Sequence, residues 1–470
     1  MKNFNYHSSS EVILADVITP VGLYLKIRDQ YPNSILLESS DSQSNANSIS
    51  YICCNPVSEF LVEAQQIRIK YPDGTNEEIQ IEKSTAVVDV LHQYANQFTA
   101  ATTETDQDFI SNGLFGYIAY DGIQYFEKIK ISKKDHATEI PAIYYAVYQN
   151  IIAIDHYKNV AHIINHSFDD SDYKDEIIAL IQSKNLASYP YKNVGEIKSN
   201  LTDEDFKNQV KTAVSHVQKG DVFQLVLSRR FQQEFAGDEF NVYRALRSIN
   251  PSPYLFYFDY GNFKIFGSSP EAQLIVKNNK AEIHPIAGTF KRTGDDLQDA
   301  ILAQKLVDDP KENSEHIMLV DLARNDLSKN GNQVCIEKLK EVQYFSHVIH
   351  LVSKVTSILK SGKKTLEVVA DTFPAGTLSG APKYRALELI QEIETTNRNF
   401  YGGAIGFMDF KGNFNHAIII RSFLSKKQNL YFQAGAGIVQ SSDIESENQE
   451  VYNKLGALKK ALQQAEKISL

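Results

Sequence analysis

The chain has no tryptophan and only three cysteines among its 470 residues. Cys53 and Cys54 are neighbours, which makes them poor disulfide partners for each other, and Cys335 stands alone. No Cys-x-x-Cys pair is present, so the sequence excludes a disulfide framework and a cysteine-based zinc site. We expect a protein of the reducing cytoplasm.

Long apolar runs and an excess of positive charge are also lacking. No segment approaches the roughly 18 apolar residues of a membrane-spanning helix, and the first ten residues are polar, unlike a signal peptide. Lys and Arg number 48 against 58 Asp and Glu, a formal net charge of −10, which excludes a general nucleic-acid binder but not an anionic small-molecule ligand. With 43% hydrophobic residues, the chain is a globular protein long enough for two or three domains.

Several catalytic signatures are missing. The sequence contains no His-Glu-x-x-His, no Gly-x-Ser-x-Gly and no Walker loop, and none of its cysteines has the neighbours of a glutamine amidotransferase nucleophile. The segment 435–437 has two glycines but lacks the third glycine and the βαβ context of a dinucleotide fingerprint. These absences exclude nucleophilic thiol and serine chemistry of the familiar kinds.

Two regions of different character are present. Residues 1–190 form a mixed, largely β region, with a helix predicted over 20–31 and a strand over 34–38. The polar segment 184–200 is interpreted as a linker, and a helix begins after Thr202 with a capping-box pattern that ends in Asp205. The apolar runs at 254–266 and 417–423 favour antiparallel strands over a doubly wound fold. We therefore predict two domains, 1–190 and 200–470.

Two pairs of glutamates have helical spacing. Glu447 and Glu450 share one helix face with Lys454 and could hold a hard cation beside a substrate carboxylate, although spacing alone favours a solvated helix face. Glu312 and Glu315 precede an apolar run, so at least one of them points inward and needs a partner. For that pair, an exposed first helical turn is an equally good interpretation.

Two glycine-containing loops complete the candidates. The loop 373–382 ends in a proline at a plausible helix start, where free backbone N–H groups bind anions. The segment 435–437 would let a ligand approach the backbone closely. Each loop by itself is more often a turn than a site.

Taken in order, these segments resemble the chorismate-utilising enzymes, and most closely the component I (large-subunit) anthranilate synthases. The matching motifs span about residues 202–462, with a thinner match at 19–21 and 36–39. They are GDVFQLVLS (220–228), NPSPY (250–254), SSPE (268–271), PIAGT (285–289), EHIMLVDLARND (315–326), HVIHLVS (347–353), PAGTLSGAP (374–382), YGG (401–403) and GAGIVQSSDIESENQEVYNK (435–454).

The resemblance implies a fold and a set of roles. The fold is an α/β (α+β) layered sandwich with large antiparallel sheets flanked by helices. Mg²⁺ is the implied cofactor, with Glu315, Glu447 and Glu450 as its ligands. The implied catalytic residues are Glu312 as general acid/base, His350, Thr377 and Gln224. The implied substrate-binding residues are Gly288, Thr289, Tyr401, Arg421, Gly435, Ala436, Gly437 and Lys454.

Two positions select a branch of the family. Relatives that add water carry a lysine base where this chain has Gln224, and aminodeoxychorismate synthases carry a nucleophilic lysine where it has Ala287. Both differences favour an anthranilate synthase, which converts chorismate and ammonia to anthranilate and pyruvate, with aminodeoxychorismate synthase as the alternative. Phe290 and Lys291 depart from the Arg and Pro that many relatives carry, which affects loop contacts rather than the chemistry.

The same resemblance implies a partner subunit and an inhibitor site. Ammonia would come from a separate glutamine amidotransferase subunit, component II. L-Tryptophan would inhibit by binding between the domains, at a site to which the N-terminal domain contributes. Its residues would be Glu38, Ser39, Pro253, Tyr254 and Leu255.

Overall fold

The structure is a computed structural model that describes residues 2–39, 49–82, 86–101, 109–169, 171–344 and 348–468. Within these ranges, none of the helices is long and apolar enough to cross a membrane. The elements of the first 199 residues are β1 Phe4–Leu14, α1 Pro20–Ile27, β2 Ile35–Glu38, β3 Ile49–Glu63, β4 Gln66–Lys70, β5 Asn76–Gln80, α2 Val87–Ala95, β6 Phe98–Ala100, β7 Leu114–Ile118, a 3₁₀ turn Tyr120–Tyr125, β8 Ile143–Asp155, β9 Val160–Ser167, α3 Lys174–Gln182 and β10 Tyr191–Ser199.

The rest of the chain alternates irregularly between helix and strand. Its elements are α4 Asp203–Gln218, β11 Gln224–Gly237, α5 Phe240–Ile249, β12 Tyr254–Asp259, β13 Phe263–Ser269, β14 Ala272–Lys277, β15 Lys280–Ile283, β16 Ile286–Lys291, α6 Asp296–Asp308, α7 Pro310–Asn330, β17 Gly331–Tyr344, β18 Val348–Leu359, α8 Thr365–Thr372, α9 Gly376–Ser379, β19 Gly380–Ala381, α10 Lys383–Ile393, β20 Ala404–Met408, β21 Phe414–Ile418, β22 Ser422–Lys426, β23 Asn429–Ile438 and α11 Ile444–Ala465.

Two large antiparallel sheets share the long strands β3 and β8. The first sheet runs β10-β11-β23-β22-β13-β12-β2-β3-β8-β9-β1. The second runs β17-β18-β15-β14-β21-β20-β7-β8-β3-β4-β5, with β16 also paired to β18. The predicted layered, antiparallel fold class is therefore confirmed.

A bulge lets β3 belong to both sheets. The register of β3 against β8 shifts between Pro56 and Ser58, next to Asn55, whose φ is 60°. A proline has no N–H to give to a ladder, so it is tolerated at such an irregularity, and the bulge bends the strand. The two ends of β3 consequently pair with different neighbours, β2 in the first sheet and β4 in the second.

The predicted linker at 184–200 is wrong for its second half. Residues 191–199 form β10, which pairs with β11 from Tyr191 opposite Gly237 to Ser199 opposite Phe231. Apart from Tyr191, the strand is exposed or half-buried, as expected for an edge strand, so its polar composition resembled that of a loop. The division into domains near residue 190 stays a prediction. Strands from the two sides of that point pair with each other, β2 with β12 and β7 with β20.

Other local predictions differ mainly at their ends. The first helix occupies Pro20–Ile27, shorter than 20–31, and the strand Ile35–Glu38 agrees with the prediction. The capping box is confirmed, because the Thr202 hydroxyl accepts from the Asp205 amide at 3.1 Å and the Asp205 carboxylate accepts from the Thr202 amide at 3.2 Å. Each satisfies a donor that the helix start leaves unpaired.

Tyrosine and phenylalanine are the large aromatic residues of the core, since the chain has no tryptophan. Tyr24, Phe240, Tyr243 and Tyr257 are fully buried against one another, with ring centroids 4.9–5.6 Å apart. Such pairs add to the stabilisation from apolar burial. This cluster joins α1 and α5 to the first sheet.

A buried ion pair connects three elements near the ends of the strands. The Arg398 guanidinium donates to both Glu394 carboxylate oxygens, at 2.6 and 2.9 Å, and is 2% exposed. It also donates to the carbonyls of Val226 on β11 and Leu378 on α9. The Ser228 amide and hydroxyl donate to Glu394, so the pair is well supplied with hydrogen bonds.

Candidate active site

The floor of the candidate site is the end of β23. Gly435 and Gly437 lie on the same strand face, because side-chain directions alternate along a strand. A Cβ on Gly437 would come 2.8 Å from the Gln224 Nε2 and 3.8 Å from the Glu315 Oε1, so a larger residue there would displace the Gln224 amide. The side chain of Ala436 points the other way, into the hydrophobic core. Like the two glycines, Ala436 can therefore offer a ligand only its backbone.

The wall formed by α7 carries Glu312 and Glu315. The Gln224 Nε2 donates to the Glu315 Oε1 at 2.9 Å, which ties α7 to the start of β11. Gly288 has a φ of 73°, and a Cβ there would lie 2.9 Å from Leu306 and 3.2 Å from the Glu312 Oε2. The backbone of Gly288 therefore lies directly beside the Glu312 carboxyl group.

His350 on β18 faces the same glycine. Its Nδ1 lies 2.9 Å from the Gly288 carbonyl oxygen, and a carbonyl only accepts, so Nδ1 carries the proton. Burial, together with the Arg421 charge, lowers the pKa of His350 and favours the neutral ring. Its Nε2 is then a lone-pair acceptor. Thr289 stands opposite His350 in the β16–β18 register, and its side chain lies outside what the structure describes.

A second helix at the site is α11. Lys454 reaches the floor, where its Nζ donates to the Gly435 carbonyl at 2.8 Å and pairs with the Glu450 carboxylate at 2.6 Å. Glu447, one turn earlier, is 5% exposed. The three side chains share one helix face, as their spacing predicts, but the side chains of Lys454 and Glu450 are 38% and 43% exposed, so their functional role stays a prediction.

Glu271 and Arg421 occupy two adjacent crossovers between the sheets. Glu271 lies between β13 of the first sheet and β14 of the second, and Arg421 lies between β21 of the second and β22 of the first. The crossovers are joined by backbone bonds from Ser268 to Arg421 at 3.1 Å and from Ile418 to Glu271 at 3.0 Å. One acid and one base are thereby fixed at the boundary of the two sheets.

Arg421 is a candidate anion binder. Its Nη1 donates to the Lys454 carbonyl, and within the described ranges no carboxylate lies within 4.0 Å of its guanidinium. Burial lowers its pKa, an effect opposed by Tyr401 and Glu450. Burial also raises the pKa of Tyr401 to about 12, so its hydroxyl stays protonated beside the Gly435 backbone. A partly buried cation near a hydroxyl and glycine backbone suits a ligand carboxylate.

Glu271 is the functional candidate that the sequence prediction missed. It is 9% exposed, and its carboxyl accepts a hydrogen bond from the Thr377 hydroxyl at 3.0 Å. Burial raises its pKa to about 8, against the opposing effects of Thr377 and Lys454. A carboxyl group that keeps its proton at neutral pH can act as a proton donor. The available signal was an acid directly before the apolar strand β14.

The predicted Mg²⁺ ligands are distributed over α7 and α11. Glu315 reaches the Gly437 position and Lys454, the partner of Glu450, reaches Gly435, two residues away on the same strand face. Carboxylate oxygens are the donors that Mg²⁺ prefers, so the residue types fit. Across the described ranges, no three His, Cys, Asp or Glu side chains are already arranged around a common metal position. Their role as ligands stays a prediction.

The predicted tryptophan residues form a separate group at the β2–β12 pairing. Glu38 stands opposite Leu255, and Tyr254 opposite Ser269 on β13, with Ser39 and Pro253 adjacent in sequence. The Glu38 carboxylate is buried and accepts from the Tyr243 hydroxyl at 2.6 Å and from Arg247 at 2.8 Å. This group thus lies where the N-terminal region meets the rest of the chain. Ser269, which pairs with Tyr254, comes two residues before Glu271.

Comparisons with known proteins give a consistent result. The profile of the family described as chorismate binding enzyme matches residues 41–460. A curated relative from Aquifex aeolicus, named anthranilate synthase component 1, is 34% identical to this chain, and the match covers 99% of this chain and 96% of that protein. A relative of the same name from Neisseria meningitidis serogroup B is 36% identical, and the match covers 96% of this chain and 94% of that protein.

Two solved structures share the fold. Anthranilate synthase component I from Streptococcus pneumoniae matches with a TM-score of 0.76 and 32% identity over 87% of this chain and 92% of that chain. The menaquinone-specific isochorismate synthase MenF from Escherichia coli matches with a TM-score of 0.73 over 98% and 96%, and its 18% identity supports the fold alone.

Proposed function

Because the chain belongs to the chorismate-binding enzyme family, we propose that it is the component I subunit of an anthranilate synthase, converting chorismate and ammonia to anthranilate and pyruvate. The observation that carries this choice of branch is the pair Gln224 and Ala287. Gln224 is 3% exposed and its amide is committed to Glu315, and a neutral amide cannot deprotonate water. Ala287 is buried and has no nucleophile to form a covalent intermediate.

Glu271 supplies the proton in the first step. Ammonia adds at C2 of chorismate as the C4 hydroxyl departs, and hydroxide is a poor leaving group unless it is protonated. The protonated Glu271 carboxyl, held by Thr377, gives its proton to that oxygen, which leaves as water. The neutral His350, with Nε2 as an acceptor, orients the same hydroxyl.

Glu312 is the proposed base of the second step. Loss of the C2 proton, with departure of the enolpyruvyl group, makes the ring aromatic. The Glu312 carboxyl group, on α7, lies beside Gly288, whereas Lys454 comes from α11. Separate acid and base carboxyl groups allow both transfers in one site, since their environments differ.

The substrate's two carboxylates need positive partners in this acidic chain. Arg421, with Tyr401 and the Gly435 backbone, suits one of them, and the residues of α7 and α11 would hold Mg²⁺ through Glu315, Glu447 and Glu450 for the other. When bound, Mg²⁺ would supply positive charge to a carboxylate that these glutamates would otherwise repel. Lys454 would then trade its contact with Glu450 for one with the ligand.

The function is tested by adding chorismate, Mg²⁺ and an ammonium salt at alkaline pH to the purified chain. We expect fluorescent anthranilate and an equal amount of pyruvate, and no product after chelation of the metal. Glutamine in place of ammonium should be inert, because we propose that a separate amidotransferase subunit generates the ammonia. Anthranilate from glutamine and this chain alone would refute that partner. Aminodeoxychorismate without pyruvate would assign the chain to the other branch.

Inhibition by L-tryptophan is a second expectation. The residues Glu38, Ser39, Pro253, Tyr254 and Leu255 would form the pocket, and a phenylalanine at position 39 would occupy it. The Ser39→Phe variant should need roughly tenfold more tryptophan for half-inhibition, equivalent to ~1.4 kcal/mol of lost binding. The matched control is Ser10→Phe on the exposed part of β1, which should be inhibited normally. Wild-type activity that saturating tryptophan leaves unchanged would contradict the site.

A further inference from the structure

A cavity lies beside Glu271, on the side of the second sheet. It has a volume of about 30 Å³, more than the ~10–15 Å³ that a water molecule requires, and is partly open to solvent. Its lining combines apolar side chains from β14, β15 and α7 with five polar residues. These are Glu271, Gln273, Asp326, Thr372 and Thr377. Glu271 and Thr377 therefore form the boundary between the cavity and the candidate active site.

Gln273 is a polar group that the protein itself does not satisfy. It is 3% exposed and lies where the register of β14 against β21 shifts, an irregularity that redirects a side chain. Its Nε2 donates to the Thr372 hydroxyl at 3.1 Å, and its Oε1 has no hydrogen-bond partner among the described residues. An orphaned buried oxygen is destabilising, and a water molecule in the adjoining cavity would remove that cost.

A charged pair closes the far end of the cavity. The Asp326 carboxylate accepts from the Lys383 Nζ at 2.6 Å, and the same ammonium donates to the Thr372 carbonyl at 2.8 Å. Lys454 of α11 also acts on Glu271, because its positive charge opposes the rise in the pKa of that carboxyl. The cavity thus offers a water molecule the two to four polar neighbours that such a site requires.

We propose that this cavity holds ordered water that returns a proton from solvent to Glu271 after each turnover. The inference rests on the proposed function, in which the Glu271 O–H bond breaks as water leaves C4. The carboxylate then takes a proton from the cavity water, which takes one from bulk water. The nitrogen added at C2 releases one proton to solvent, so the protons balance without any further reactant.

Two substitutions test the relay by different means. Gln273→Met keeps the side-chain length and removes the polar atoms, while Thr372 keeps its bond to the Val368 carbonyl. Ala323→Leu leaves every polar group in place and fills the space. In both variants kcat should fall roughly tenfold, less than the ~10²–10⁴-fold expected when a proton donor itself is removed. The solvent deuterium isotope effect on kcat should rise, with KM for chorismate unchanged.

A matched control enlarges the cavity instead. Ile283→Val removes one methylene from the lining and should leave the isotope effect at the wild-type value. Crystal structures of the wild type and of Ala323→Leu, determined in the same crystal form, show independently of activity whether the cavity holds water. Density for water near the Gln273 Oε1 in the wild type, lost in Ala323→Leu, is expected. A dry cavity, or unchanged kcat and isotope effects in both variants, would overturn the relay, whereas a chain that makes no anthranilate would overturn the proposed function instead.

Discussion

Replacing Glu271 by glutamine should lower chorismate turnover by roughly 10²- to 10⁴-fold, the contribution typical of a positioned proton donor. The amide has the same shape and can still accept from the Thr377 hydroxyl, so folding should be preserved. What is lost is an acidic proton beside the departing hydroxyl group. Turnover with an ammonium salt, measured from anthranilate fluorescence, gives the ratio. The control is Glu234→Gln, an exposed glutamate on β11, which should retain wild-type activity.

The pH profile separates loss of the acid from general damage. Donation requires the protonated carboxyl, whose pKa burial raises to about 8, so turnover per free ammonia should decline as the pH rises through that value. The residual activity of Glu271→Gln should lack this alkaline limb, because the amide does not titrate. A variant that keeps near-normal activity, or one with an unchanged alkaline limb, would assign the proton donation to another group.

Replacing Glu394 by alanine should reduce the free energy of unfolding by ~3–5 kcal/mol, the cost typical of leaving one partner of a buried pair unmatched. The Arg398 guanidinium would remain 2% exposed with its two strongest acceptor contacts gone. Urea unfolding followed by circular dichroism measures the loss. The matched control is Asp321→Ala, which removes the exposed pair with Arg324 and should cost less than ~1 kcal/mol.

The same variant should also lose activity. Arg398 donates to the carbonyls of Val226 and Leu378, which lie two residues from Gln224 and one residue from Thr377. Without Glu394 to hold it, the guanidinium no longer fixes both segments. Equal stability of Glu394→Ala and wild type would show that water or another group already compensates the arginine.

Much of the architecture could be predicted because local signals agreed with the tertiary structure. The Thr202 capping box, the helix starting at Pro20 and the antiparallel arrangement all follow from patterns within a few residues. Glu315 and Gln224 were both predicted from motifs, and the structure joins them at 2.9 Å. The two residues lie in motifs far apart in sequence, and each motif was identified by its residue types and its place in the order of motifs.

The rest depended on topology. Nothing near Glu271 in sequence shows that β13 and β14 belong to different sheets, and that crossover is what buries the carboxyl and raises its pKa. Likewise, β10 has a polar strand composition because only one of its edges is paired, to β11. The side chain of Ala436 points into the core, a direction set by strand alternation that a motif match cannot reveal.

The lack of tryptophan, which leaves Tyr and Phe as the large aromatic residues of the core, has an optical consequence. The chain has no indole side chain, so it does not fluoresce when it is excited at a wavelength that only indole absorbs. Any fluorescence excited in this way comes from added L-tryptophan. The proposed binding of L-tryptophan at the β2–β12 group could therefore be followed directly, from the brightness or anisotropy of the unlabelled amino acid, in a protein of 53.0 kDa. The buried tyrosines near that group, Tyr243 and Tyr257, would serve as energy donors to the bound indole, since burial raises their pKa and keeps them as neutral phenols.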